Sequence, residues 1–141
     1  MTVIAWDGRL LAADKRTSFG GLHATTQKLH RVGERFVGCA GNTAQIQEML
    51  VWLEKGDPEK FPATQRSTAD CVSMLVIDNG RILQYENTPY PMVIENGFWA
   101  IGSGRDFAMA AMHLGKTAEE AVEVACHLDA TCGNGIDVLE I

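Results

Sequence analysis

Strands gathered into runs, rather than alternating one for one with helices, predict an α+β fold for this chain. Three observations carry the prediction. Before residue 41 the apolar residues sit in short β-rich stretches separated by Asp7-Gly8 and Gly33-Glu34, dipeptides suited to hairpin turns. Over 43–54 the apolar period becomes helical, through Ile46, Met49, Leu50 and Leu53. A second strand run follows, and two helical segments and one last strand close the chain.

Taken in order, residues 2–6 read as a strand and 9–14 as its return, apolar and ending on Asp14. A polar loop with Gly20-Gly21 follows. Residues 25–32 and 35–40 read as a second hairpin, and the small apolar run FVGCAG suits a buried strand against which something packs closely. Asn42 caps the first helix, which Gly56 and Pro58 stop. Residues 57–68 are polar with two prolines and read as a loop. Residues 71–77 and 82–85 pair across Asp78-Asn79-Gly80-Arg81, a type I′ turn signal. Residues 98–101 form a strand ending at Gly102-Ser103-Gly104. A helix over 105–114 stops at Gly115. Thr117 and Glu120 make a capping box for the next helix, whose stripe is Ala121, Val122, Ala125 and Leu128. Gly133-Asn134-Gly135 leads to the final strand, 136–139.

The 141 residues suit one domain, 1–141, with ample material for a core. A net charge of −6 with scattered Lys and Arg argues against a nucleic-acid surface. Charged residues break every apolar run, so no membrane span is expected. The run at 3–6 is too short for a secretory signal. Cys39, Cys71, Cys126 and Cys132 include no C-x-x-C pair, and the four histidines no H-x-x-x-H pair. Free thiols, no metal, no organic cofactor and a cytoplasmic location are the expectation.

Chemistry concentrates at few positions. A threonine at a free N-terminus carries its own base, the α-amine, whose usual pKa of about 7.7–8.0 lies near neutral pH. Thr2 meets that condition once Met1 is removed; taken alone, Thr after an initiator is also commonplace. Lys28 and Asp14 can pair, and a cation near the amine favours its free-base form. From spacing alone, a surface ion pair is the competing reading. Gly41 lies between a buried strand and a helix start, where backbone N–H groups can receive an oxyanion, or where a tight turn needs glycine. Ser103 precedes a helix and could be an ordinary N-cap.

Taken together, these residues resemble the proteasome β-subunit family and its bacterial relative, the HslV peptidase. The segments are Thr2-Val3-Ile4, LLAADKRTS with Asp14, TTQKLHRV with Lys28, VGCAGNTA with Gly41, AIGSGRDFAMAA with Ser103, and DATCGNG with Asp129 and Cys132. Each is weak alone; their order and spacing across nearly the whole chain are more specific. The resemblance implies an N-terminal-nucleophile (Ntn) hydrolase fold, a four-layer αββα sandwich with a reduced helical layer. It implies a threonine-type peptidase or amidase, with Thr2 as nucleophile, Lys28 and Asp14 tuning its amine, the Gly41 N–H as oxyanion donor, and Asp129, Ser103 and Cys132 orienting the amine. Thr17, Ser18, Thr26, Cys39 and Thr43 would face the first specificity pocket, whose small uncharged walls favour uncharged side chains. The implied partners are other copies of the chain, in a ring or double ring, a peptide or unfolded-protein substrate, and an ATP-dependent unfoldase.

Three features depart from the family pattern. Cys132 stands where a serine is usual, and a thiol is the weaker donor. The second long helix after the first is replaced by the polar stretch 57–68. No propeptide is visible, only Met1, and a retained Met1 would make the Thr2 nitrogen an amide. A non-catalytic ring or assembly protein and a small-amide hydrolase without a protease chamber are therefore the alternatives. On this reading Lys28→Ala costs activity far more than stability.

Overall fold

A computed structural model of the chain describes residues 1–67 and 71–141. Strands β1 (Ile4–Trp6) and β2 (Leu10–Asp14) form the first hairpin. A second hairpin, β3 (Arg16–Phe19) with β4 (Leu22–Thr25), stands apart as a two-stranded unit. Strands β5 (Leu29–Val32) and β6 (Arg35–Ala40) precede helix α1 (Thr43–Lys55). After two short 3₁₀ turns, Pro58–Lys60 and Ala63–Arg66, come β7 (Ser73–Asp78), β8 (Arg81–Tyr85), β9 (Met92–Ile94) and β10 (Trp99–Ile101). Helices α2 (Arg105–His113) and α3 (Ala118–Leu128) and strand β11 (Ile136–Glu140) complete the order.

The other nine strands described make two antiparallel sheets, β10-β1-β2-β11 and β5-β6-β7-β8-β9. Side-chain alternation along the central strands divides the apolar residues into three layers of core. Val3, Ala5, Leu10 and Ala12 face α2 and α3, meeting Ala108, Ala121, Val122 and Ala125. Ile4, Trp6, Leu11 and Ala13 point the other way and meet Leu29, Phe36, Leu75 and Ile77 of the second sheet. That sheet's far face, Val37, Cys39, Met74 and Val76, packs on Met49, Trp52 and Leu53 of α1. Both faces of β1 and β2 are covered, so these strands read as continuous apolar runs. The result is a four-layer αββα sandwich, as the resemblance implies, with α1 as the one α-helix of its layer among the described residues.

Local signals explain the element ends. Asn42 Oδ1 accepts the Ala44 and Gln45 N–H groups, and Gly56 closes α1 in the left-handed conformation. Asn79 and Gly80 take φ of 52° and 78°, as a type I′ turn between β7 and β8 requires. Thr117 and Glu120 exchange both capping-box bonds.

Three expectations are corrected, and one strand had not been expected. The stretch read as a polar loop is the β3–β4 hairpin, and Thr25 ends β4 rather than opening β5; both strands are half to fully exposed, so no apolar alternation marks them. Strand β9 is a three-residue edge strand after Pro91 and gives no periodic signal. The stretch 57–67 holds the two 3₁₀ turns, the first capped by Asp57; Thr68 of that expected loop lies outside the described residues. Finally, Gly104, not Ser103, occupies the N-cap of α2. No helix among the described residues is long and apolar enough to cross a membrane.

Candidate active site

Asp14 ends β2 with its carboxylate fully buried, and Lys28 enters β5 with a side chain only 7% exposed. Burying such a pair is costly unless every polar atom is matched. Here Asp14 Oδ1 accepts from Lys28 Nζ at 2.8 Å and from the Val3 N–H at 3.1 Å. Its Oδ2 accepts the N–H groups of Arg16 and Gly133, at 3.3 and 3.1 Å. Lys28 Nζ spends its other two protons on Thr2 Oγ1 and on the Met1 carbonyl, both at 3.1 Å. The pair read from spacing as a possible surface contact is therefore an interior one, and it holds the Thr2 hydroxyl.

The backbone around Thr2 is fixed from the other side by the β10–α2 junction. Gly104 N–H donates to the Thr2 carbonyl at 3.1 Å. Gly102 adopts φ +94°, and a Cβ there would fall 2.1 Å from that carbonyl oxygen, so only glycine fits. Between them Ser103 Oγ accepts the Thr2 N–H at 3.2 Å and reaches Asp129 Oδ2 at 3.1 Å. The other carboxylate oxygen, Asp129 Oδ1, accepts the Thr131 hydroxyl at 2.6 Å and the Thr131 N–H at 2.9 Å. Cys132 Sγ lies 3.5 Å from Asp129 Oδ2. The Thr131 hydroxyl and amide, with smaller help from Ser103 and Cys132, hold the Asp129 carboxyl down to about 2. Burial drives the Cys132 thiol up to about 11, reinforced by Asp14 and Asp129. It is neutral at physiological pH and offers only a weak S–H donor.

A cavity of about 250 Å³ opens beside Thr2. Thr17, Ser18, Thr26, Cys39 and Thr43, the residues expected at the first specificity pocket, line it together with Gly41. Thr17 and Thr26 face each other across the β3–β4 hairpin with their hydroxyls in contact. Gly41 follows β6 with φ +137°, and a Cβ would meet the Val72 backbone at 3.2 Å, so both a turn and a tight approach require glycine there. Burial raises the Cys39 thiol to about 12, which makes it a wall rather than a nucleophile. Among the described residues no cluster of three or more His, Cys, Asp or Glu could hold a metal ion.

Two curated proteins are similar to this chain along nearly all of it. Proteasome subunit beta 1 of Ignicoccus hospitalis is 29% identical over 169 residues, covering 96% of this chain and 85% of that protein. Proteasome subunit beta 2 of Korarchaeum cryptofilum is 29% identical over 171 residues, covering 95% and 86%. The chain is thus similar to proteasome β subunits along nearly its whole length. Among solved structures, HslV from Trypanosoma brucei superposes with a TM-score of 0.74 at 23% identity, covering 100% of both chains. BPH of Thiobacillus denitrificans in complex with epoxomicin gives 0.72 at 20% identity, covering 99% and 98%. These two establish the fold. No family model matches.

The seven residues singled out at the site, Thr2 included, fall into two linked groups and a rim. Thr2, Asp14 and Lys28 form one hydrogen-bonded set; Ser103, Asp129 and Cys132 form the other, joined to the first through Thr2 N. Gly41 stands at the rim of the cavity. Sequence reasoning missed Thr131, whose only signal was a hydroxyl two residues after an acid. It also missed Arg16 and His30, which line the cavity beside the smaller residues. Arg16 donates to Asn134 Oδ1 and the Ala130 carbonyl, tying the 129–135 loop to β3. His30 is half-buried and its pKa is lowered by that burial, so it adds a polar, largely neutral wall.

Proposed function

We propose that the chain is a threonine-type N-terminal-nucleophile hydrolase acting on amide bonds of peptides. The observation that supports this most is the buried Lys28–Asp14 pair with Lys28 Nζ on the Thr2 hydroxyl. Loss of Met1 turns the Thr2 amide nitrogen into an α-amine. That amine takes the Thr2 Oγ proton as Oγ bonds to the substrate carbonyl carbon. The scissile C–N bond then breaks, and the amine returns the proton to the leaving nitrogen. Water hydrolyses the resulting ester by the same route in reverse. A cation beside the amine favours its basic form, and Asp14 pairs with Lys28 inside the protein. The Gly41 N–H receives the oxyanion, and losing one such donor typically costs about 3–4 kcal/mol. Ser103 and Asp129 orient the amine. The small uncharged Thr17, Ser18, Thr26, Cys39 and Thr43 of the cavity wall favour uncharged side chains, the Arg16 guanidinium on the same wall being engaged by Asn134 and the Ala130 carbonyl. The protein works as a homo-oligomeric ring or double ring in the cytoplasm, with an ATP-dependent unfoldase as a candidate partner.

The test combines intact-mass measurement of the purified protein with hydrolysis of fluorogenic peptides that carry an uncharged residue at the cleaved position. The expected result is a mature chain starting at Thr2 that turns the peptides over and a Thr2→Ala variant that folds and does not. Equal turnover by the two proteins, or a chain that starts at Thr2 and cleaves no peptide, rejects the peptidase assignment.

A further inference from the structure

Asp129 has two carboxylate oxygens with different tasks. Oδ2 faces Ser103, the residue that touches Thr2 N. Ser103 Oγ carries a single proton, and its shortest acceptor is Asp129 Oδ2 at 3.1 Å, against 3.4 Å to the Thr2 carbonyl. That direction leaves the Ser103 lone pairs free to accept from Thr2 N. It holds only while Oδ2 stays in place, and a carboxylate turns freely about its last torsion unless its second oxygen is also held. Oδ1 is held by one residue, through both the hydroxyl and the backbone N–H of Thr131. The thiol of Cys132 does not share this task, because its contact, at 3.5 Å, is to Oδ2 rather than Oδ1 and an S–H is a weak donor.

We propose that Thr131 is a positioning residue for the Thr2 amine: it pins one oxygen of Asp129, so that the other stays aimed at Ser103, and supplies the ordering hydroxyl that Cys132 lacks. The inference rests on the hydrolase reading above. Thr131 does not touch the nucleophile; its nearest approach to the chain of donors is 3.5 Å, to Ser103 Oγ. It acts through Asp129, and the fall of the Asp129 carboxyl to about 2, caused first by the Thr131 hydroxyl, is in keeping with that contact. The other charged groups around this loop include Asp14, on the Gly133 N–H, Arg16, on the Ala130 carbonyl, Lys15, beside Gly135, and Lys28.

The test uses the full chain with Thr131→Val and Thr131→Ser. Thr131 is exposed, so valine, nearly equal in shape, leaves the fold intact. With a fluorogenic peptide, Thr131→Val lowers kcat about tenfold, the size expected when a hydrogen bond to a charged group is lost, while KM stays unchanged; Thr131→Ser restores kcat. Independently of turnover, the Asp129 carboxyl is titrated by carbon NMR. Its midpoint rises from about 2 toward 3.8 in Thr131→Val and returns in Thr131→Ser. An active wild type matched in kcat by Thr131→Val overturns the proposal, and so does an unmoved Asp129 titration. A wild type that starts at Thr2 and shows no turnover rejects the hydrolase reading instead, and the titration still decides the role of Thr131 at Asp129.

Discussion

Lys28 gives three protons to three acceptors and has almost no contact with solvent. That burial revises the expectation that Lys28→Ala spares stability. Breaking a buried pair typically costs about 3–5 kcal/mol, because the remaining charge is uncompensated. Asp14 keeps three backbone N–H donors, from Val3, Arg16 and Gly133, so the lower end of that range is expected in urea unfolding, together with loss of hydrolysis. Asp129 adds an acid-side effect. Its folded pKa lies below the ordinary carboxylate value, so its contribution is complete above about pH 4 and disappears as pH falls toward 2. Cys39 makes a third test. It lines the cavity, yet its thiol sits near 12, so iodoacetamide at pH 8 should leave it unmodified in the folded protein and alkylate it in urea. The identities of Asp14 and Lys28 were legible from their order along the chain, but their burial was not. Spacing does not tell an interior ion pair from a surface one; the strand that covers it does.

At the scale of elements, two connections place the site. The β10–α2 junction carries Gly102 against the Thr2 carbonyl, a contact with no room for a methyl group. Gly102→Ala should therefore push the N-terminal segment off Lys28. Misplacing a reacting group by about 1 Å costs roughly 100-fold in rate, so kcat falls by about that factor, with far-UV circular dichroism unchanged. The second connection is the stretch 57–67 after α1. Gln65, fully buried in a 3₁₀ turn, donates to the Val72 and Glu86 carbonyls and accepts the Val72 N–H. Val72 in turn packs on Gly41. One side chain thus fixes the entry to β7 beside the rim of the cavity. Gln65→Ala strands buried backbone groups and should cost about 2–4 kcal/mol in denaturant unfolding. Hairpins with turn dipeptides and helices with caps were legible because local chemistry sets them. Gln65 was not, since a glutamine in a Pro-containing stretch looks like solvated loop until its partners are known. The β3–β4 hairpin failed for the opposite reason: its residues are exposed and carry no core pattern.

For the molecule as a whole, the layered core was legible as α+β from element order and as a sandwich only through the family resemblance, because layer pairing is a long-range property. What the core leaves uncovered bears on assembly. Among the described residues, Phe19 and Leu22 stand exposed at the tip of the β3–β4 hairpin, Met92 and Val93 on the β9 edge, and Leu114 and Leu128 at the ends of α2 and α3. Large apolar side chains gathered at separate places suit an oligomer better than a monomer, and a closed ring needs two unlike patches that fit each other. The hairpin is the informative one, since its base also supplies Arg16, Thr17, Ser18 and Thr26 to the cavity wall. Contact at its tip would stiffen the wall, so assembly and hydrolysis should be lost together. Light scattering should give the wild type a mass several times that of the chain. The double change Phe19→Ser with Leu22→Ser should lower that mass and reduce peptide turnover, while the unfolding midpoint of the chain changes little. A wild type that is monomeric yet active would remove the chamber and leave a small-amide hydrolase. A double variant that keeps both mass and turnover would move the assembly contact away from the hairpin.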